Sequence, residues 1–410
     1  MTKDIRKTRV NSLNSVQKFI SSCGKFCQFV GYMAILFVAG HFLLGAGIYV
    51  KHNYSHIVGK GLNVQLSGVD SRAKLPAYES YPDKEAFWQE QVNAFDTMHF
   101  EPYYHWRGNE LSGKYINVGS DGVRFTLNSG QSKGGKKVFL FGGSTMWGMG
   151  VKDEHTIPSF LQAILGNEYV VYNYGETGWV STQELNYLMY QLVKGNIPDV
   201  VVFYDGVNDG YAGAYSPAIP RDPHNLRSDQ ISKKQGSPIE SSLIVKIFKW
   251  SNYWSLVGYL KRSLWTNAYL EEQELEKWDS IVQPKVTENT KGVIDAYEAH
   301  VRQVKALAKE YGFQVFFFWQ PNLLSGTRNL LPYEAEILRN NSTPVFRESQ
   351  RKVFFEAKAR LSDKEDENIY FLGNMFDDVA EPIYIDWCHV GPKGNEIVAK
   401  EIGQRIQKIL

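Results

Sequence analysis

The chain reads as an α/β protein with a parallel sheet covered by helices on both faces, preceded by one membrane-spanning helix. Three observations predict this. From Lys136 onward, short apolar runs alternate with amphipathic helical stretches. The runs are continuous rather than alternating, as strands buried on both faces require. Residues 27–50 contain no Asp, Glu, Lys or Arg and are long enough to cross a bilayer as a helix.

The elements follow in order. "KVFLF", from Lys136, is the first strand of the main domain. A helix is expected at about 155–166, with Pro158 in its first turn and Ile157, Phe160, Leu161 and Ile164 on one stripe. "YVVYNYG" is a second strand. "STQELNYLMYQLVKG" is a helix, with Ser181 as its cap and Glu184 three residues on. "DVVVFYDG" is a third strand. "IDAYEAHVRQVKALAKEYG" is a helix ending at Gly312, "FQVFFFWQP" a fourth strand, and "GNEIVAKEIGQRIQKIL" a closing helix. Strand–helix alternation of this kind implies parallel pairing.

Four segments organise the chain. Residues 1–26 form a basic tail, 27–50 the spanning helix, 51–135 a turn-rich lead-in with a small antiparallel part, and 136–410 the main domain. An insertion at about 211–290 breaks the rhythm. Leu243, Ile247, Trp250, Trp254 and Val257 in it recur at helical spacing, which fits a helix packed on the domain or, alternatively, a lid at the site or the membrane surface. Lys3, Arg6, Lys7, Arg9, Lys18 and Lys25 precede the apolar run. The positive-inside rule then places the N-terminus in the cytoplasm and the rest beyond His52 outside. We read the run as an uncleaved anchor. A cleaved signal, with "GAG" at 45–47 as its site, is the alternative.

Composition excludes some classes. The formal net charge is +1, so no electrostatic footprint for nucleic acid is present. Cys23, Cys27 and Cys388 make neither a disulfide framework nor a zinc pattern. His52 and His56 are spaced for a metal but lack a third ligand.

The chemistry gathers where the strands end. "KKVFLFGGSTMWGMGV" presents Ser144 on a glycine turn. A Walker loop is excluded, because Met149 and Gly150 follow Gly148 where Lys and Ser/Thr are needed. A G-x-S-x-G elbow fails at Met146. A nucleophilic serine needs a base, an acid to orient that base, and donors for the oxyanion. In "YIDWCHVGPKGN", Asp386 lies three residues before His389, close enough to reach its far ring nitrogen. Gly175 and Gly178 in "NYGETGWVS" and Gly206, Asn208 and Asp209 in "YDGVND" stand after the second and third strands. Open α/β sheets place their sites at these strand ends. Either glycine of the first pair fits an oxyanion role, and Asp209 fits an ordinary turn or cap. Cys388 reads as buried and inert. His105 and His155 read as structural or rim residues, and Trp106 and Arg124 as groove residues or fasteners.

Taken together, these blocks resemble the SGNH hydrolase (GDSL esterase/lipase) superfamily, membrane-anchored bacterial type. The family's Ser matches Ser144 in "FGGSTMWG", its Gly matches Gly178 in "GETG", its Asn matches Asn208 in "GVND", and its D-x-x-H matches Asp386 and His389 in "DWCH". The blocks run in family order over about residues 136–410, and "SGKYINVGSDGVRFT" resembles the lead-in of membrane-anchored members. One departure is Gly143, where the typical G-D-S block carries an acid. The resemblance implies a three-layer α/β/α fold, flavodoxin-like. It implies that Ser144 is the nucleophile, His389 its base and Asp386 the orienting acid. It also implies an oxyanion hole formed by the Ser144 N–H, the Gly178 N–H and the Asn208 amide. No metal or organic cofactor is called for.

The function expected is a serine O-acyl esterase, or an O-acetyltransferase of the same mechanism. It would be held in the inner membrane, with its catalytic domain periplasmic or otherwise extracytoplasmic, and act on an acylated envelope polysaccharide or lipid. Transfer would require a membrane partner that supplies acyl groups. The alternatives are a non-catalytic SGNH-like protein that binds glycan or scaffolds an export complex, and a lipase or thioesterase with residues 243–264 as lid.

Overall fold

A computed structural model describes residues 22–41, 43, 70–95, 98–131, 134–215, 286–340 and 342–409. The chain divides into two compact units, one of Met1–Ser67 with Gly236–Leu270 and one of Gly68–Gln235 with Glu271–Leu410. In the first, the described element is helix α1, Ser22–His41. It is exposed along its length and long and apolar enough to cross a membrane, with a mean hydropathy of 1.4. Residues 42 and 44–50 of the expected span lie outside the described residues. The insertion helix of residues 243–264 and the pair His52 and His56 lie outside the described residues.

The second unit holds the lead-in and the main sheet together. The lead-in opens with two 3-10 turns, Ser71–Lys74 and Pro76–Tyr78, then helix α2 (Lys84–Phe95). Strands β1 (Met98–Glu101) and β2 (His105–Gly108) form an antiparallel hairpin, and β3 (Leu111–Ser112) pairs antiparallel with β4 (Asn117–Val118). The main sheet starts with β5 (Lys136–Gly142), followed by a four-residue helix α3 (Ser144–Trp147), α4 (Ile157–Leu165) and β6 (Tyr169–Asn173). Next come α5 (Ser181–Val193), β7 (Val200–Asp205), α6 (Val207–Tyr215), α7 (Val286–Tyr311) and β8 (Gln314–Trp319). The chain closes with α8 (Pro332–Asn340), α9 (Pro344–Leu361), β9 (Ile369–Phe371) and α10 (Pro392–Ile409).

The five strands lie in the order β6-β5-β7-β8-β9, all parallel. Counted along the chain this is 2-1-3-4-5, whose switch point lies between β5 and β7. The continuous apolar runs divide by parity, because successive strand side chains point to opposite faces. Val138, Leu140, Val200, Val202, Phe316 and Phe318 join one core with Ile157 and Leu161 of α4 and Val398 and Ile402 of α10. Phe139, Phe141, Val201, Phe203, Val315 and Phe317 join the other, with Leu185 and Leu188 of α5, Ile294 and Val301 of α7 and Ala357 of α9. The result is a three-layer α/β/α sandwich. Each fully buried apolar side chain contributes about 1.5–3 kcal/mol, and both faces of the sheet are stabilised in this way.

Two expectations are corrected. The sheet has a fifth strand, β9, beyond the four predicted. Helix α5 is capped by Val180, not Ser181. The Gln183 side chain accepts the Val180 N–H at 3.3 Å, while the Ser181 hydroxyl is drawn 2.5 Å to Asp209 instead. Glu184, expected in the capping box, is fully buried.

The lead-in has its own aromatic core of Tyr78, Tyr81, Phe87, Trp88 and Tyr115. That core also takes in Trp147 from α3 and Ile385 from the loop before α10. The segment before the sheet is therefore packed against the two pieces of chain that carry Ser144 and His389.

Candidate active site

The site is built on the C-terminal rim of β5, β6 and β7. Ser144 heads α3 directly after β5, with Gly143 as the N-cap. As the first residue of a helix it has an N–H with no intrahelical acceptor. Helix α3 is stopped at once by Gly148, whose φ of +103° is a left-handed conformation that glycine adopts without strain. A side chain there would also strike Arg124, with the Arg124 Nη1 only 2.7 Å from the added carbon.

Arg124 fixes this turn from below. It is completely buried, donates from Nη1 to the carbonyls of Trp147 and Gly148 and from Nη2 to that of Val151, and pairs through Nε with Asp153 at 3.0 Å. Of the two readings of Arg124, groove lining is excluded and fastening holds. A second buried arginine, Arg107, stacks on Trp179 and Tyr187 and faces Glu176, which accepts the Gly108 and Thr177 N–H groups. The backbone of Trp106 also fastens the segment, because its carbonyl accepts the Trp179 indole N–H. The lead-in thus holds both the serine turn and the Gly178 loop.

The base comes from the loop before α10. An antiparallel bridge between Tyr384 and Val390 folds residues 385–389 into a tight hairpin, closed by the Ile385 N–H to the His389 carbonyl at 3.0 Å. Within it, Asp386 Oδ1 accepts the backbone N–H groups of Cys388 (3.0 Å) and His389 (2.7 Å). Its Oδ2 lies 2.6 Å from His389 Nδ1. The other ring nitrogen, Nε2, lies 2.5 Å from Ser144 Oγ across 245 residues of chain. Ser144, His389 and Asp386 therefore form one continuous hydrogen-bonded chain. Burial works against the Asp386 charge. The facing His389 and the two backbone N–H groups outweigh it and hold the carboxyl well below the usual carboxylate range.

The three sequence-predicted oxyanion donors meet the same rim. Gly178 has a φ of +73°, and its N–H has no hydrogen-bond partner among the described residues. Gly175, the rival, spends its N–H on Asn173 Oδ1 and is packed against the α3 backbone, so its donor is not available. Asn208 donates one amide hydrogen to the Trp179 carbonyl at 2.7 Å, leaving the other for a ligand. Its Nδ2 is the atom that a side chain at position 143 would hit first. Asp209, expected as a turn or cap residue, accepts both the N–H and the hydroxyl of Ser181. This bolts the start of α6 to the end of the Gly178 loop.

Two site neighbours were not predicted. Gln320, just past β8 and buried, donates from one amide nitrogen to the Thr145 hydroxyl (2.8 Å) and to the Cys388 carbonyl (3.0 Å), bridging the serine helix to the histidine loop. Its position at a fourth strand end was the one signal available. Arg72, in the first turn of the lead-in, lies 3.7 Å from Asp386.

Cys388 is buried, and burial pushes its thiol up, with the Asp386 charge adding to the effect, so it is kept protonated beside the base. Asp386, Cys388 and His389 place possible metal donors within 4.8 Å of one another. The carboxylate and the imidazole are already bonded to each other, and a protonated thiol is a poor ligand. His155 bonds the Tyr81 hydroxyl and stacks on Phe160, away from the triad. His105 stacks on Phe100 in the β1–β2 hairpin.

No family model matches the chain, and no curated protein matches it. Among solved structures it is similar to a carbohydrate acetylesterase family member from Sinorhizobium meliloti, at 15% identity and a TM-score of 0.33 over 67% of this chain and 99% of that one. It is also similar to a member of the lipolytic protein G-D-S-L family from Veillonella parvula, at 12% and 0.33 over 66% and 97%. A third is an acetylxylan esterase from Geobacillus stearothermophilus, at 14% and 0.34 over 66% and 94%. At TM-scores this low the fold rests on the observed sheet, and the chemistry on the geometry of the rim.

Proposed function

We propose that the chain is an SGNH-type serine acyl hydrolase or acyltransferase, anchored in the inner membrane through α1 with its catalytic unit outside the cytoplasm. The observation that carries the reading is the Ser144–His389–Asp386 chain, at 2.5 and 2.6 Å, beside the Gly178 N–H and the spare amide hydrogen of Asn208.

In this mechanism Ser144 Oγ attacks an ester carbonyl while His389 Nε2 takes its proton. Asp386 holds the imidazole and stabilises the imidazolium. The Ser144 N–H, the Gly178 N–H and the Asn208 amide receive the oxyanion. His389 then returns the proton to the departing alkoxide, leaving an acyl-serine. Water or a sugar hydroxyl then attacks the acyl carbon and gives its proton to His389, which returns it to the departing Ser144 Oγ as the acyl group leaves with the incoming oxygen. An apolar helix preceded by basic residues supports placing the unit at the cell envelope. The substrate we favour is an O-acylated envelope polysaccharide, with a lipid next. Transfer in place of hydrolysis requires a membrane partner that delivers acyl groups. A triad held at hydrogen-bonding distance favours catalysis over the binding or scaffold role.

The test is release of p-nitrophenol from p-nitrophenyl acetate by the full chain in detergent. We expect turnover that falls by at least about a thousandfold in both Ser144→Ala and His389→Ala. Turnover unchanged in Ser144→Ala would sink the assignment.

A further inference from the structure

Asp70 and Arg72 lie outside all four sequence blocks, yet they reach the triad. Asp70 Oδ1 accepts the Arg72 backbone N–H at 2.9 Å and its Nε at 3.1 Å, and Oδ2 accepts Nη2 at 2.8 Å. The guanidinium lies 4.4 Å over the Trp88 ring. One edge and one face of the group are thereby fixed. The remaining nitrogen, Nη1, lies 3.7 Å from Asp386 Oδ2, the same oxygen that pairs with His389 Nδ1. The two side chains are only 29% and 16% exposed, so water screens this contact weakly. Charges of alternating sign therefore run from Asp70 through Arg72 and Asp386 to the base.

We propose that Arg72 is a positioning residue of the triad, and that the Asp70–Arg72 pair sets the pH at which the triad becomes active. The argument rests on the acyl-hydrolase reading above. When His389 accepts the serine proton, the new imidazolium is favoured by Asp386 and opposed by the cation behind it. Asp70 offsets that cation. Among the described residues, the other groups beside the triad carry no competing charge. Tyr78, from the next 3-10 turn, and Cys388, on the histidine loop, are both pushed up by burial and stay neutral, and Ser144 and Gln320 are neutral. Burial opposes the Arg72 charge, but Asp70 and Asp386 outweigh it, and Arg72 holds its proton more tightly than usual. Burial likewise opposes the Asp70 charge, and its bonds to Arg72 outweigh that. Among the described residues named at the triad, this pair carries the charge that tunes the site.

The test is the pH profile of kcat/KM for p-nitrophenyl acetate in the full chain, with Arg72→Gln, Arg72→Lys and Asp70→Asn. Removing the cation makes the imidazolium easier to form, so Arg72→Gln should move the acid limb up by about one pH unit. Asp70→Asn unmasks the cation and should move it down. Arg72→Lys keeps the charge and should stay near the parent. Limbs that coincide in all four proteins, or that move in the same direction for Arg72→Gln and Asp70→Asn, overturn the proposal. Diethyl pyrocarbonate modification of His389 against pH, followed by mass spectrometry, reads the same displacement without turnover. A protein with no esterase activity but opposed shifts in that modification loses the hydrolase reading and keeps the charge pair.

Discussion

Gly143 shows how one missing side chain shapes the site. The typical block carries an acid there, but in this chain an added β-carbon would collide with the Asn208 amide nitrogen. The glycine and the asparagine are thus a matched pair, one making room for the other. Gly143→Ala should push the amide out of line and lower kcat for p-nitrophenyl acetate by about a hundredfold, the usual cost of losing one oxyanion donor. KM should change little. An unaltered kcat would remove Asn208 from the mechanism. Ser144, Asp386 and His389 were legible in sequence because the chemistry demands those residue types, and the Asp–His spacing is local. Gln320 and Arg72 were not, because they act through partners far along the chain. Gln320 meets Thr145 across 175 residues. Ser181 looked like a helix cap from its neighbours alone, and only the fold brings Asp209 to its hydroxyl.

At the scale of elements, β7 and α5 share an unusual contact. Glu184 of α5 and Asp205 at the end of β7 are both buried, and neither Glu184 oxygen meets an N–H or O–H donor. Two buried carboxylates with no donor repel each other, so the pair keeps a shared proton. Burial pushes Asp205 up to about 8, with the Asp209 charge raising it further and the Glu184 bond pulling it back. Burial also pushes Glu184 well above the usual range. The folded state therefore binds more protons than the unfolded chain. Stability from this pair is full below the unfolded carboxylate range, near pH 4, and is lost as pH rises toward about 8. Thermal melts should show Tm falling between about pH 5 and about pH 8. Glu184→Gln should flatten that fall, since its amide can donate to an ionised Asp205. Parallel curves for parent and variant would contradict the shared proton. Four of the five strands were legible as unbroken apolar runs. The fifth, Ile369–Phe371, is three residues long and carries too little pattern to separate from a loop.

At the scale of the whole molecule, the described residues of the second unit pack the lead-in and the sheet into one body. The lead-in shares its aromatic core with Trp147 and Ile385 and sends Arg124 under the serine turn. Sequence pattern revealed a small antiparallel segment there, but its role was hidden. Buried arginines and shared aromatic clusters depend on which distant chains meet, and local periodicity does not encode that. The sandwich, by contrast, was readable, because strand–helix alternation with apolar runs has few other solutions. The central claim is that this body activates Ser144 for attack on an acyl carbon. The most direct measurement is covalent labelling of the full chain with a fluorophosphonate, read by mass spectrometry of its peptides. The account predicts one adduct, on the peptide that contains Ser144, formed in the parent and lost in His389→Ala. Labelling at another residue, or equal labelling of Ser144 without His389, would contradict it.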